Sequence, residues 1–341
     1  MTTHALANLT VLVLAVTALI AIATARRQPW WREMARDIYR RRPLAVFVVA
    51  GYLLIGGLDS IAWVGGTTVA PQGDLVALHE PRSIIDRLFP ADFRERSYSA
   101  PLADVEFYGG AALRFPSRHL LGTDLLGRDV LLQALKGVRV ALLIGAGSSL
   151  VVIPIALLLG MTAGYFGRRI DDAVFFVIAT LSSIPTLLLL IALVMALGRG
   201  TLQVCLALGI TSWVGFARVI RGETLKLREL DYVAAARALG AGHARILRRH
   251  VLPNLMHLVV ITFVLLFSQL VLSEAVLSWL GIGITGSWGQ MIDQARDELA
   301  RDPVVWWNLS AAAVALFGLI LSVNVLGDAV RDVLDPRTLR E

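Results

Sequence analysis

The chain has 341 residues, 56% of them hydrophobic, with 32 Lys+Arg against 26 Asp+Glu and a formal net charge of +6. A mean hydropathy of +0.68 excludes an ordinary soluble domain, and a single cysteine, Cys205, excludes an internal disulfide. The positive charge is gathered in a few clusters, so it reports membrane topology and gives no support to a nucleic-acid partner.

A helix needs about 20 mostly apolar residues to cross the hydrocarbon core. Seven stretches meet that length, at residues 5–25, 44–64, 139–165, 171–197, 201–220, 255–281 and 305–327. The fold class is therefore all-α and polytopic. Of the 32 basic residues, 20 lie in residues 26–42, at Arg168-Arg169, in residues 218–249 and in the tail from Arg331. Alternating crossings place all four clusters on one side, which the positive-inside rule makes cytoplasmic. The N-terminus is then outside and the C-terminus inside.

In chain order, Ala23-Thr24-Ala25 has the spacing of a signal-peptidase site. Residues 1–6 hold no Lys or Arg, however, while Arg26-Arg27 follow at once, a polarity that predicts an uncleaved helix. Residues 26–43 interleave arginines with Trp30, Trp31 and Tyr39, the pattern of a helix in the lipid headgroup region. Such a helix serves either as an anchor or as a docking surface. Residues 65–138 carry nine acidic residues, eight basic residues and five prolines, and predict an irregular outside loop packed over the outer mouth. Pro154 and Pro185 fall inside spans and predict kinks. After Gly281 comes a second outside loop, with Asp302-Pro303 as N-cap and first-turn proline of the last span.

Several chemistries are set aside. No phosphate-binding loop is present and the only lysines are Lys136 and Lys226, so the chain by itself is expected to be non-catalytic toward ATP. His243, His250 and His257 are spaced by seven, but Pro253 interrupts them and no Cys or carboxylate sits at matching spacing; no metal or cofactor is expected. Ser148, Ser149, Ser182 and Ser183 lie in spans without a mid-membrane His, which suits hydrogen bonds between helices better than an intramembrane protease.

The most informative stretch is the polar loop 221–254. Ala235 and Ala236 precede Gly240 by a fixed distance, and Leu252-Pro253 close the pattern. Small alanines let a short helix seat closely in a groove, Gly240 suits a left-handed terminus, and Pro253 opens the next span where a missing N–H costs nothing. With these spacings the loop resembles the coupling loop of ABC-importer permeases, Glu-Ala-Ala, three residues, Gly, nine residues, an aliphatic residue, one more residue, then Leu-Pro. Two positions depart from that pattern: Ala234 stands in place of the glutamate and His250 in place of the aliphatic residue.

The resemblance extends to His119-Leu120-Leu121-Gly122-Thr123-Asp124-Leu125-Leu126-Gly127-Arg128-Asp129, to residues 274–283, to Ser287-Trp288-Gly289-Gln290-Met291, and to Asn324–Asp328 with Asp335-Pro336-Arg337. These resemble the C-type permeases of dipeptide and oligopeptide importers, over about residues 44–341. The resemblance implies a six-helix type I importer core, here with one extra N-terminal helix. It further implies ATP-driven uptake of peptides or peptide-like solutes beside a homologous B-type permease, two cytoplasmic ATP-binding subunits and an extracytoplasmic solute-binding protein. Residues 1–43 are then an accessory segment and 44–341 the permease domain. Ala234, Ala235, Ala236, Gly240, His250, Leu252 and Pro253 would contact the ATPase. Gly122, Thr123, Asp124, Gly127, Arg128 and Asp129 would form a turn at the outer mouth. Glu274, an ionisable residue at membrane depth, serves either the solute pathway or a structural hydrogen bond near the outer interface. An ion-coupled secondary transporter and a scaffold that has lost transport are the competing readings.

Overall fold

The computed structural model describes residues 36–63, 82–90 and 92–334. The expected span at 5–25 and most of the arginine-aromatic segment 26–43 lie outside the described residues; residues 36–41 are helical. Helix α1 is Pro43–Ser60, its proline at the first turn where no N–H is needed. Two-residue strands β1 (Ala62–Trp63) and β2 (Arg82–Ser83) pair antiparallel. A one-turn helix α2 (Ile84–Leu88) follows, with a reciprocal capping box between Ser83 and Asp86.

Helix α3 (Val130–Phe166) has 37 residues, about 55 Å at 1.5 Å per residue, and therefore outruns a hydrocarbon core of about 30 Å. Pro154 lies inside it without ending it. The single span expected at 171–197 is instead two helices, α4 (Arg168–Ser183) and α5 (Thr186–Leu197), bent by 91° at Ile184-Pro185. Proline forces the preceding residue out of the helical region, and Ile184 is extended.

Helix α6 spans Thr201–Arg228 and is followed by α7 (Asp231–Ala238) and α8 (His243–Ile246). A π-turn, Leu247–Val251, leads into α9 (Leu252–Trp279). Residues 281–304, read as loop, contain the amphipathic helix α10 (Trp288–Leu299), whose N-cap Ser287 accepts a hydrogen bond from the Gln290 N–H. The last helix, α11, runs Trp307–Leu334, so it starts four residues after the expected Asp302-Pro303 cap. By length and composition, five described helical segments can cross a membrane, six if α4 and α5 count as one span.

The chain forms two compact units, residues 1–142 with 285–329, and residues 143–284 with 330–341. In the first unit Trp288 packs where Gly137 leaves room, since a Cβ there would lie 2.5 Å from its ring. The indole N–H donates to the Ala134 carbonyl at 2.8 Å. In the second unit Gly160 and Gly164 bring α3 against α6: added Cβ atoms would meet the carbonyls of Ala217 and Arg221 at 2.7 Å. Close backbone approach over small residues is how helices associate where lipid removes the hydrophobic drive between them. Cys205 is buried here, its thiol directed at the Leu143 carbonyl.

Candidate coupling surface and the glycine-rich turn

The loop of the second unit is built from its buried anchors outward. Val233, Ile246, Val251 and Leu255 are each fully buried and hold α7, α8 and the start of α9 to the unit. The rest of α7 is open: Ala234 and Ala235 are exposed, Ala236 is partly so, and Leu230, Tyr232 and Leu239 add apolar surface, Leu239 at 87% exposure. Helix α7 ends at Gly240, which has φ +80°, with its N–H bonded to the Arg237 carbonyl at 3.0 Å. That is the left-handed terminus the glycine was expected to supply.

Pro253 stands in the first turn of α9, as expected, although helical backbone already runs up to it from His243. Lacking an N–H, the proline interrupts the regular ladder, and the chain widens into the π-turn just before it. The Leu252 N–H reaches back to the Leu247 carbonyl, and the Asn254 side-chain amide donates to the His250 carbonyl at 2.6 Å. His250 is half-buried beside Tyr232, ring centroids 6.1 Å apart.

The end of α3 steadies this loop through residues that the loop pattern did not single out. The Tyr165 hydroxyl and His243 Nδ1 lie 3.0 Å apart, and the Arg237 guanidinium sits over the Tyr165 ring at 5.7 Å. Arg228 donates to the Gly164 carbonyl at 3.0 Å, and Arg221 grips both oxygens of Asp171 at 2.5 and 2.6 Å. The signal available in sequence was Gly160-x-x-x-Gly164, a small-residue pair one helical turn apart at the end of an apolar run. Replacing Asp171 by Asn removes one charge of a two-pronged but partly exposed ion pair. The expected loss is about 1 kcal/mol in thermal unfolding, shrinking as salt is raised. A loss independent of salt would assign Asp171 a packing role instead.

In the first unit the glycine-rich motif folds into one buried turn. The Asp124 carboxylate accepts from the Leu126 and Arg128 N–H groups through Oδ1, both at 2.9 Å, and from Arg128 Nε and Gln133 Nε2 through Oδ2. The Thr123 hydroxyl donates to the Ser97 carbonyl and accepts from the Ser99 N–H at 2.7 Å. Gly122 and Gly127 take φ +72° and +68°. Asp129 caps the first turn of α3, accepting from the Leu132 N–H at 2.8 Å, and its other oxygen lies 2.9 Å from His119 Nδ1. The far side of that imidazole faces Glu95 at 3.3 Å, and its ring stacks on Phe93. Residues 92–129 thus carry an aromatic core of their own, which prolines and mixed charge had concealed. Gly122, Thr123, Asp124, Gly127 and Asp129 are buried and Arg128 is half-buried, while Leu125 and Leu126 between them are exposed.

Glu274 is buried in α9, where its carboxylate accepts from the Ser278 hydroxyl at 2.5 Å. It does not line the cleft of about 430 Å³ in the second unit, which is walled by α4, α5, α6 and α9. Ser182, Thr186, Thr211, Ser212, Thr262 and Gln269 supply the polar groups of that cleft, among apolar side chains. No carboxylate lines it among the described residues, so it offers neutral oxygens only.

These features define a class: a multi-pass α-helical membrane protein that presents a short, small-residue helix on a polar loop between two spans. Residues 156–340 match the family described as binding-protein-dependent transport system inner membrane component, and the chain belongs to that family. It is 36% identical over 225 residues to the dipeptide transport system permease protein DppC of Bacillus subtilis, a stretch covering 65% of this chain and 70% of that protein. It is 38% identical over 224 residues to the glutathione transport system permease protein GsiD of Pectobacterium atrosepticum, covering 65% and 73%. A chain of the MetNI methionine ABC transporter, solved in an inward-facing conformation, aligns over 60% of this chain and 97% of its own at 23% identity, with a TM-score of 0.47.

Proposed function

We propose that this chain is the permease subunit of an ATP-driven importer for peptides or peptide-like solutes, coupled to its ATPase through residues 234–253. The exposed helix α7, ended by Gly240 in the left-handed conformation, carries this reading. Only Val233 of that helix is buried, so its alanines and Leu239 are free to enter a groove on a partner. The family supplies the class, and relatives named for dipeptide and glutathione transport support the solute class. In this reading the loop is cytoplasmic, the N-terminus is outside, and the chain pairs with a homologous B-type permease. Two ATP-binding subunits close against the loop, and an extracytoplasmic binding protein delivers the solute. Closure is passed on as a rigid-body shift of helices through the Tyr165–His243 and Arg221–Asp171 contacts.

The test is purification of the full chain from its native membrane, with mass spectrometry of what accompanies it. A P-loop ATPase and a second permease are expected. Their absence from abundant, folded chain would remove the energy source and overturn the reading. The residue at 234 is tested separately. Ala234 is exposed, so Ala234→Glu should leave thermal stability within about 0.5 kcal/mol of wild type. We expect ATP hydrolysis by the assembled complex to remain within about twofold. A larger rise would assign the missing carboxylate a real contact, and a fall would mean the partner's groove has closed around alanine.

A further inference from the structure

The first unit holds a buried acid that none of the roles above uses. Glu298 lies at the end of α10, between two spans, and is 2% exposed. Its Oε2 has no hydrogen-bond partner among the described residues. Asn308, in the first turn of α11, is fully buried; its amide nitrogen points to the Met291 carbonyl at 3.5 Å, while its Oδ1 likewise has no partner. Two acceptors are thus buried without a donor, an arrangement whose full desolvation cost is normally avoided.

The charged and titratable groups facing Glu298 are Tyr98, Asp124 and Arg301. Asp124 has both oxygens already engaged and can add only negative field. The Arg301 guanidinium is drawn over the Tyr98 ring, 5.3 Å from its centroid. One proton on the carboxyl would remove the buried charge and give the two unpartnered oxygens, Glu298 Oε2 and Asn308 Oδ1, a hydrogen to share, since Asn308 faces the same group. We infer that Glu298 is a proton-binding site: the folded unit carries this carboxyl neutral, its hydroxyl turned to the Asn308 oxygen, and loss of the proton loosens α10 from the segment around Tyr98.

Burial, the largest influence, pushes the acid up from the ordinary carboxylate range, and Asp124 adds to it. Hydrogen bonds from Asn308 and Tyr98 and the charge of Arg301 pull the other way. The Tyr98 hydroxyl, pushed up to about 12 chiefly by burial, stays protonated throughout. The sign follows from proton linkage. The native state holds more protons than the unfolded chain between the ordinary and the raised value. Stability is therefore greatest below the ordinary value of 4.5, falls as pH rises toward the raised one, and is level beyond it.

The experiment is infrared spectroscopy of the full chain in lipid nanodiscs across pH, on wild type, Glu298→Gln and Asn308→Leu, with hydrogen exchange on the same samples. A protonated-carboxyl stretch should persist in wild type above the pH where exposed carboxyls have ionised, be lost in E298Q, and shift in frequency in N308L. Exchange in peptides covering 94–100 and 288–300 should rise with pH in wild type and stay level in E298Q. If E298Q does not fold, the wild-type band and its shift in N308L decide the matter. The same band in E298Q, no persistent band in wild type, or an unshifted band in N308L each overturns the proposal. A protection change that follows added sodium or potassium at fixed pH would make the cluster a cation site and also overturn it.

Discussion

Gly240→Arg should release the ATPase subunits from the purified complex while the permease chain itself stays folded. At φ +80° an L side chain carries a penalty of about 1–2 kcal/mol, and a Cβ built there meets nothing within 4 Å. The fold therefore tolerates the change, and the arginine projects from the exposed end of α7. A long cation there holds the alanine surface away from any groove that receives it. We expect at least a tenfold fall in co-purifying ATPase, equivalent to about 1.4 kcal/mol or more of binding. Gly240→Asn is the control, because asparagine visits the left-handed region readily and is short. It should retain the partner. Equal recovery with Gly240→Arg would mean that the partner docks elsewhere, and the coupling role of residues 234–253 would fall with it.

Gly127→Ala acts by a different route and should cost the first unit about 3 kcal/mol or more. The methyl group would lie 2.0 Å from the Glu95 carbonyl oxygen, and the obstacle is backbone that cannot rotate away. The Glu95 N–H in turn donates to the Gly127 carbonyl at 2.9 Å, so the two segments cannot separate without breaking the turn that holds Asp124. The strain of φ +68° adds to the overlap. Gly109→Ala serves as comparison: it shares the positive φ, at +97°, but its Cβ would enter open space. Thermal unfolding in detergent should separate the two variants by several degrees. If they melt together, the turn is not packed as tightly as the approach of Gly127 to the Glu95 carbonyl requires.

The membrane class and most of the spans were legible in the sequence because they rest on composition, which burial in lipid imposes on every residue of a span. The left-handed Gly240 and the turn built by residues 122–129 were legible for another reason. Glycine and aspartate are chosen there by local backbone geometry, which neighbouring residues largely determine. Proline spacing marks the bend at Pro185 but not its 91° size, and the polar character of residues 288–299 suits loop and amphipathic helix alike. In both cases hydropathy is nearly the same for either outcome, and the decision falls to how the backbone reroutes its hydrogen bonds.

The sequence by itself determined that this protein is polytopic and helical, where its polar loops fall, and which loop resembles a docking surface. Those properties follow from transfer free energies and residue spacing, which are local. Only the tertiary structure decided that α7 is held by Val233 and bared elsewhere, and that Tyr165 and Arg237 brace the loop. It alone placed Glu274 on Ser278 and buried Glu298 Oε2 and Asn308 Oδ1 without hydrogen-bond partners among the described residues. Those outcomes depend on which distant segments meet. The pairing energies involved arise only once residues far apart in the chain have been brought together and water has been excluded between them.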